Sequence, residues 1–320
     1  MRRTIPLLLL GAAATAPLRA QSMADYARCQ RVFTDAAVRS AFEQQVQREP
    51  TTTMGHFAAG CLDAARRAFK DAAAHFEQVM RADPRSTAAF TMYGNVVGAF
   101  LPSAGLVDKA RYAPRLRTAL ETAITLDGTN VDARWGLMQY YLSAPGFAGG
   151  DKAKGRAQAE AIMALDAWRG TWARVDAGEA SRDRAYVVRA LTEATRAWPD
   201  SARPWLALAD AHLAGGDAAA AWRTVEGWML QRPGLAAQQY GLGLVSAGAG
   251  ERLEIGEASL RAYLAGSRRR GDPGVAEAQF QLGRILERGG RRGEARAAWQ
   301  AALGADPAYK PAKDALARID

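Results

Sequence analysis

Residues Ala276–Pro307, AEAQFQLGRILERGGRRGEARAAWQAALGADP, read as two amphipathic helices joined by a glycine turn. Leu282-Gly283 and Leu286 lie one turn apart on the first helix, and Gly290 marks the turn. Glu294-Ala295, Trp299 and Ala302-Leu303 then follow on the second helix, which Asp306-Pro307 stops. A side chain at Gly283 would hold the two axes apart, so this glycine predicts a close helix–helix approach. Trp299 is large enough to fill the space between this hairpin and the next.

The same features recur along the chain. Pro199 and Pro233 are 34 residues apart, as are Gly60 and Gly94, and Ala209 and Gly243. Residues 202–235 carry Trp205, Leu208-Ala209, Gly216-Asp217, Ala221, Val225 and Pro233, and residues 53–86 carry Gly60, Phe69, Ala72, Phe76 and Asp83-Pro84. A fixed period of this size marks a repeat protein. These units closely resemble the tetratricopeptide repeat (TPR). Continuing the register gives about seven units, near 53–86, 87–130, 131–167, 168–201, 202–235, 236–275 and 276–309; the fourth lacks the usual small residue and turn glycine. The resemblance implies an all-α, right-handed α-solenoid over residues 53–320. An N-terminal helical segment (21–52) precedes it, and a capping helix carries Ala312, Ala315, Leu316 and Ile319.

Two units are lengthened by similar insertions, LPSAGLVDKA and APGFAGGDKA, each running from a proline through apolar residues and glycine to Asp-Lys-Ala. The candidate loop residues are Asp108 and Lys109 in the first and Gly146, Gly149, Gly150, Asp151 and Lys152 in the second. Insertions in neighbouring repeats project from one edge, which is often a binding edge. A further six residues extend the sixth unit, around AGAGERLEIGEAS and GSRRRGDPG. The segment Ala133–Asp166 also resembles part of exported bacterial repeat proteins without a known activity.

The glycine-rich run is not a phosphate loop of Walker type. An acid precedes Lys152, Ala153 stands where a hydroxyl should follow, and no strand leads into it. Proline and glycine end one helix there, Gly149-Gly150 allow positive φ, and Asp151 caps the next helix. His56, His75 and His212 have no His or Cys four residues away and read as surface or packing residues, so no metal site, cofactor or catalytic set is expected.

The N-terminus has the layout of a secretory signal peptide over residues 1–20: Arg2-Arg3, an apolar run from Ile5 to Ala14, and small Ala20. The run is too short to span a bilayer. The 320-residue chain carries a formal charge of +9, and cleavage after Ala20 would leave 39 basic and 33 acidic residues. The basic residues are scattered and lack a stripe of stacking aromatics, which argues against nucleic acid as partner. Export to an oxidising compartment, periplasmic or extracellular, makes Cys29 and Cys61 a candidate disulfide, with two buried thiols as the alternative.

In the TPR family the first helix of each unit lines a concave groove. The resemblance therefore places Thr91, Asn95, Trp135, Gln139, Leu206, Asp210, Tyr240 and Arg284 there. The family's carboxylate clamp of Lys, Asn and Arg is matched by Asn95 alone. An aromatic beside amides and hydroxyls suits an extended peptide. The expected function is a non-enzymatic scaffold of the cell envelope that binds a protein or peptide. The alternative is a small-molecule or glycan-binding protein that uses the groove aromatics and inserted loops.

Overall fold

Short polar side chains set where the helices begin. Asp35, Thr52, Ser86, Asp151, Asp166, Asp183 and Asp217 each accept a backbone N–H from the first turn that follows. The computed structural model describes residues 22–319, so the expected signal peptide lies outside the described residues.

The described residues form seventeen α-helices. α1 (Met23–Arg31) and α2 (Ala36–Arg48) make the N-terminal segment. Paired first and second helices follow as α3 (Thr53–Ala65) with α4 (Phe69–Ala82), α5 (Thr87–Phe100) with α6 (Leu106–Leu126), and α7 (Val131–Ser143) with α8 (Lys152–Leu165). The next pairs are α9 (Ala167–Ser181) with α10 (Arg184–Ala197), and α11 (Ala202–Ala214) with α12 (Ala218–Gln231). The last are α13 (Ala236–Ala249) with α14 (Leu253–Ala265), and α15 (Val275–Arg288) with α16 (Arg292–Ala305), before the capping helix α17 (Lys310–Ile319). The antiparallel hairpins are those of an all-α repeat solenoid, as the 34-residue period predicts.

The chain divides into two compact units. One contains the residues up to Tyr140 together with Phe147–Gly149, and the other contains Tyr141–Gly146 and the residues from Gly150 onward. In the first unit Phe76 packs on Gly60 and Leu120 packs on Gly94; a Cβ at Gly94 would lie 2.3 Å from Leu120 Cδ2. In the second, Leu260 packs on Gly243 and Trp299 on Gly283, where a Cβ would come within 2.2 and 2.3 Å. The same core stacks Trp205 on Trp228, and α17 covers its end with Ala312 and Ala315.

Residues 168–201 form a full hairpin, α9–α10, despite their weak repeat signature. Gly178 supplies the close approach, facing Val187 Cγ2 at 2.5 Å from its would-be Cβ. The turn uses Arg182 at φ 57° in place of glycine, a left-handed conformation that costs a non-glycine residue on the order of 1 kcal/mol. Arg67 makes the corresponding turn of α3–α4 at φ 63°.

The insertions lengthen connections and one helix without breaking the pairing. In the second hairpin, Leu101–Ser103 form a 3₁₀ turn and α6 extends to 21 residues. The extra length of the sixth unit lies in the connection 266–274, where the Tyr263 hydroxyl donates to Pro273 O at 2.5 Å.

Two glycines of α5 make opposite predictions. Gly94→Ala should destabilise the protein by about 1–3 kcal/mol, because Leu120 has to move. At Gly98 the added methyl would sit 3.7 Å from Leu116 Cδ1, so Gly98→Ala should stabilise by about 0.4–1 kcal/mol through the unfolded chain. Denaturant unfolding of both variants checks the contrast.

Candidate functional site

In the first unit the face formed by the first helices carries a segment of the chain itself. α1 packs on α5, and a disulfide joins its Cys29 to Cys61 of α3 with the Cα atoms 5.5 Å apart. Asn95 Nδ2 donates to the Tyr26 hydroxyl at 3.1 Å. Asn130 Nδ2 donates to Thr91 Oγ1 at 2.8 Å and contacts Met23 Sδ at 3.4 Å. Burial, with Asp132 adding its charge, pushes the Tyr26 phenol up to about 12. Thr91 is fully buried, while Asn95, Trp135 and Gln139 are half-buried. Of the groove residues expected at α5, Asn95 thus already engages a helix of the chain, while Thr91 bonds Asn130 and the Thr87 carbonyl.

The second unit presents a different face. Arg203 on α11 lies over the Trp172 ring of α9, 3.6 Å from its centroid, with Asp176 close enough to interact. Trp168 meets Trp172 and Trp198 edge-on, with ring centroids 5.6 and 5.0 Å away. The buried Trp172 Nε1–H has no hydrogen-bond partner among the described residues. Farther along, the Tyr240 hydroxyl engages Gln281, and Arg284 Nη1 donates to Gln281 Oε1 at 2.9 Å. Burial, reinforced by the nearby Arg288 charge, holds the Arg284 guanidinium below its ordinary value. Asp210 is exposed and interacts electrostatically with Arg284, whereas Leu206 and Tyr240 are buried. Phe280, Arg284, Glu287, Arg288, Trp299 and Arg318 line a pocket of about 470 Å³, across which Arg318 holds the Glu287 carboxylate with bonds of 2.9 and 2.8 Å.

The inserted loops are built by local constraints. Asp108 lies in the first turn of α6 and accepts from Lys70 Nζ at 2.6 Å, beside exposed Lys109. Gly149 alone of the second loop's glycines has positive φ, at 88°. Gly150 is required for another reason: a Cβ there would strike Ala144 O at 1.7 Å. Gly146 has open space around its would-be Cβ. Asp151 caps α8 through Ala153 N and Lys154 N, and Lys152 Nζ donates to Ala180 O at 2.5 Å. Among the described residues no cluster of three or more metal-ligating side chains is present, and no helix is long and apolar enough to cross a membrane.

No family model and no curated protein matches the chain by sequence. Two solved structures match its backbone well. A tetratricopeptide repeat protein from Parabacteroides merdae superposes with a TM-score of 0.50 at 11% identity, over 87% of this chain and 98% of that one. Yeast Tom70 superposes with a TM-score of 0.56 at 12% identity, over 90% of this chain and 57% of its own. The fold is that of a tetratricopeptide repeat protein.

The TPR architecture brings together residues that sequence spacing kept apart. His56 and His75, on the paired helices α3 and α4, face each other with their Nδ1 atoms 3.0 Å apart, and Asp63 Oδ2 lies 3.7 Å from His75 Nε2. These two histidines form a contact and are not independent packing residues. Trp172 escaped notice because its unit looked degenerate, although it occupies the same TPR position as Trp135 and Leu206 in their units. Tyr26 had no repeat register that would have placed it on α5.

The histidine pair predicts a pH dependence. Burial, together with the nearby His75 charge, holds His56 below its usual value. The folded state therefore favours neutral His56, and its contribution is fully present above the unfolded value of about 6.5. It is lost as pH falls through the lower folded value. The facing groups are His75 and Asp63, with Asp71 and Arg66 acting on Asp63. Thermal melting of the wild type should fall off as pH drops below about 6.5, and His56→Gln should flatten that part of the curve.

Proposed function

We propose that this chain is a non-enzymatic scaffold that binds a segment of another polypeptide on the face formed by its first helices. The single observation that carries the reading is α1, a helix of the chain itself, seated on α5 through the Tyr26–Asn95 hydrogen bond. A surface that holds one peptide helix in this way has the amide, hydroxyl and apolar groups that peptide recognition requires. In the second unit the site for another chain is the strip of Trp172, Arg203, Asp210, Gln281 and Arg284. It joins aromatic area to guanidinium donors, the residue types that dominate binding energetics.

The site of action is the cell envelope. The basic, apolar and small residues of positions 1–20 and the Cys29–Cys61 disulfide both support this reading. TPR folds are scaffolds in most settings, and no chemistry in the strip calls for a different role.

A photo-crosslinking amino acid at position 210 tests the proposal in cells. It should trap a discrete partner, whereas the same probe at exposed Arg223 on α12 should not. Arg203→Glu combined with Arg284→Glu should reduce that capture by tenfold or more on the order-of-magnitude scale of hot-spot residues, with unchanged melting. Equal trapping at both positions, or capture that survives the double substitution, would sink the proposal.

A further inference from the structure

The two inserted connections carry the most exposed pair of neighbouring apolar side chains and the most exposed aromatic ring among the described residues. Leu106 and Val107, at the start of α6, are 86% and 82% exposed, and Phe147 is 96% exposed. Leu230 is as exposed, but it stands singly beside Gln231 and Arg232, and single exposed apolar residues are ordinary. Adjacent Leu106 and Val107, with a second apolar tip in the same unit, call for a partner.

The two tips are placed along one helix. Gly149, two residues after Phe147, lies against α6, where a Cβ would sit 2.9 Å from Arg117 Nη1 and 3.1 Å from the Tyr140 hydroxyl oxygen. Tyr140 also anchors the segment by donating from its hydroxyl to Ala148 O. Arg117 is eleven residues beyond Leu106 on α6, a rise of about 16 Å. The first turn of α6 and the short connection that carries Phe147 therefore hold bulky apolar groups in water at two points along α6.

The charge around the first tip is one-sided. Among residues 101–120 the only acid is Asp108, and Lys70 neutralises it. Lys109 and Arg111 are exposed in the next turn, while Arg115 and Arg117 are paired with Glu77 and Glu121. Apolar residues at the tip with lysine and arginine one turn behind match the order of layers in a lipid interface, where acyl chains lie beneath anionic headgroups.

We propose that this unit docks peripherally on an anionic phospholipid bilayer, with Leu106, Val107 and Phe147 entering the interface and Lys109 and Arg111 meeting the headgroups. The near-complete exposure of the tips favours lipid over a protein partner, because acyl chains accept separate convex side chains without a matched pocket. The proposal is independent of the peptide-binding strip in the second unit.

Vesicle flotation tests it. The full chain should float with mixed phosphatidylcholine–phosphatidylglycerol vesicles in preference to phosphatidylcholine alone, and added salt should weaken the preference. A parallel series lacking residues 1–20 removes any contribution from the apolar run at 5–14. In both series Leu106→Ser, Val107→Ser and Phe147→Ser together should lower the bound fraction by roughly tenfold, since binding scales with inserted apolar area. Lys109→Glu with Arg111→Glu should erase the preference for anionic lipid. All five residues are exposed or at the surface of their helix, so circular dichroism melts should match the parent. Three results would each overturn the proposal: a triple-serine variant that floats like the parent, a chain without residues 1–20 that binds neither vesicle, or sedimentation showing that the tips hold two copies of the chain together.

Discussion

One contact recurs through this protein: a large side chain of a second helix seated where a glycine on the first helix has no Cβ. Phe76 sits on Gly60, Leu120 on Gly94, Leu260 on Gly243 and Trp299 on Gly283. Each brings two helix axes close enough for the next hairpin to stack, while α7–α8 makes the approach in reverse, with Gly155 of the second helix under Leu142 of the first, and α11–α12 packs through Ala209. Sixteen residues separate the partners in the first and last of these pairs, and twenty-six separate Gly94 from Leu120. The added residues of the second hairpin therefore lie between the two halves of the contact. Its connection could lengthen because the packing that defines the hairpin was left in place.

The same economy of contact explains why α1 needs a covalent tie. It is nine residues long, too short to be stable alone, and its main neighbour is α5. The Cys29–Cys61 link closes a loop of about thirty residues, and in the chain-entropy account a closure of that length stabilises by about 3–4 kcal/mol. Both sulfur-bearing residues are fully buried. The disulfide thus acts as a fixed staple that keeps Tyr26 against Asn95, and in that unit the face of the first helices is covered within the molecule.

What could be read in the sequence followed the repeat, and what could not lay outside it. The 34-residue spacing of prolines and small residues located most helix pairs, because the glycine contact imposes a strict position on them. The α9–α10 hairpin is faint for a physical reason: Arg182 takes the left-handed conformation that glycine takes in other turns, and Gly178 stands only nine residues before its partner Val187 in sequence. Thr91 and Asn95 could be assigned to a first helix, but the surroundings of Asn95 depend on α1, which has no repeat register. The meeting of His56 with His75 depends on antiparallel pairing, which brings residues nineteen apart into contact with no local motif to announce it.

The inserted connections are accordingly under different physical constraints from the hairpins. Within the hairpins nearly every large apolar residue is constrained by the hole it fills, as Trp228 and Trp299, both fully buried, illustrate. Leu106, Val107 and Phe147 fill no hole, and polar residues there would leave the glycine contacts intact while improving solubility. Apolar side chains held in water at a helix start and a short connection offer the fold itself nothing. Their place next to lysine and arginine is best understood as a property of what the surface touches, because the interior places no demand on them.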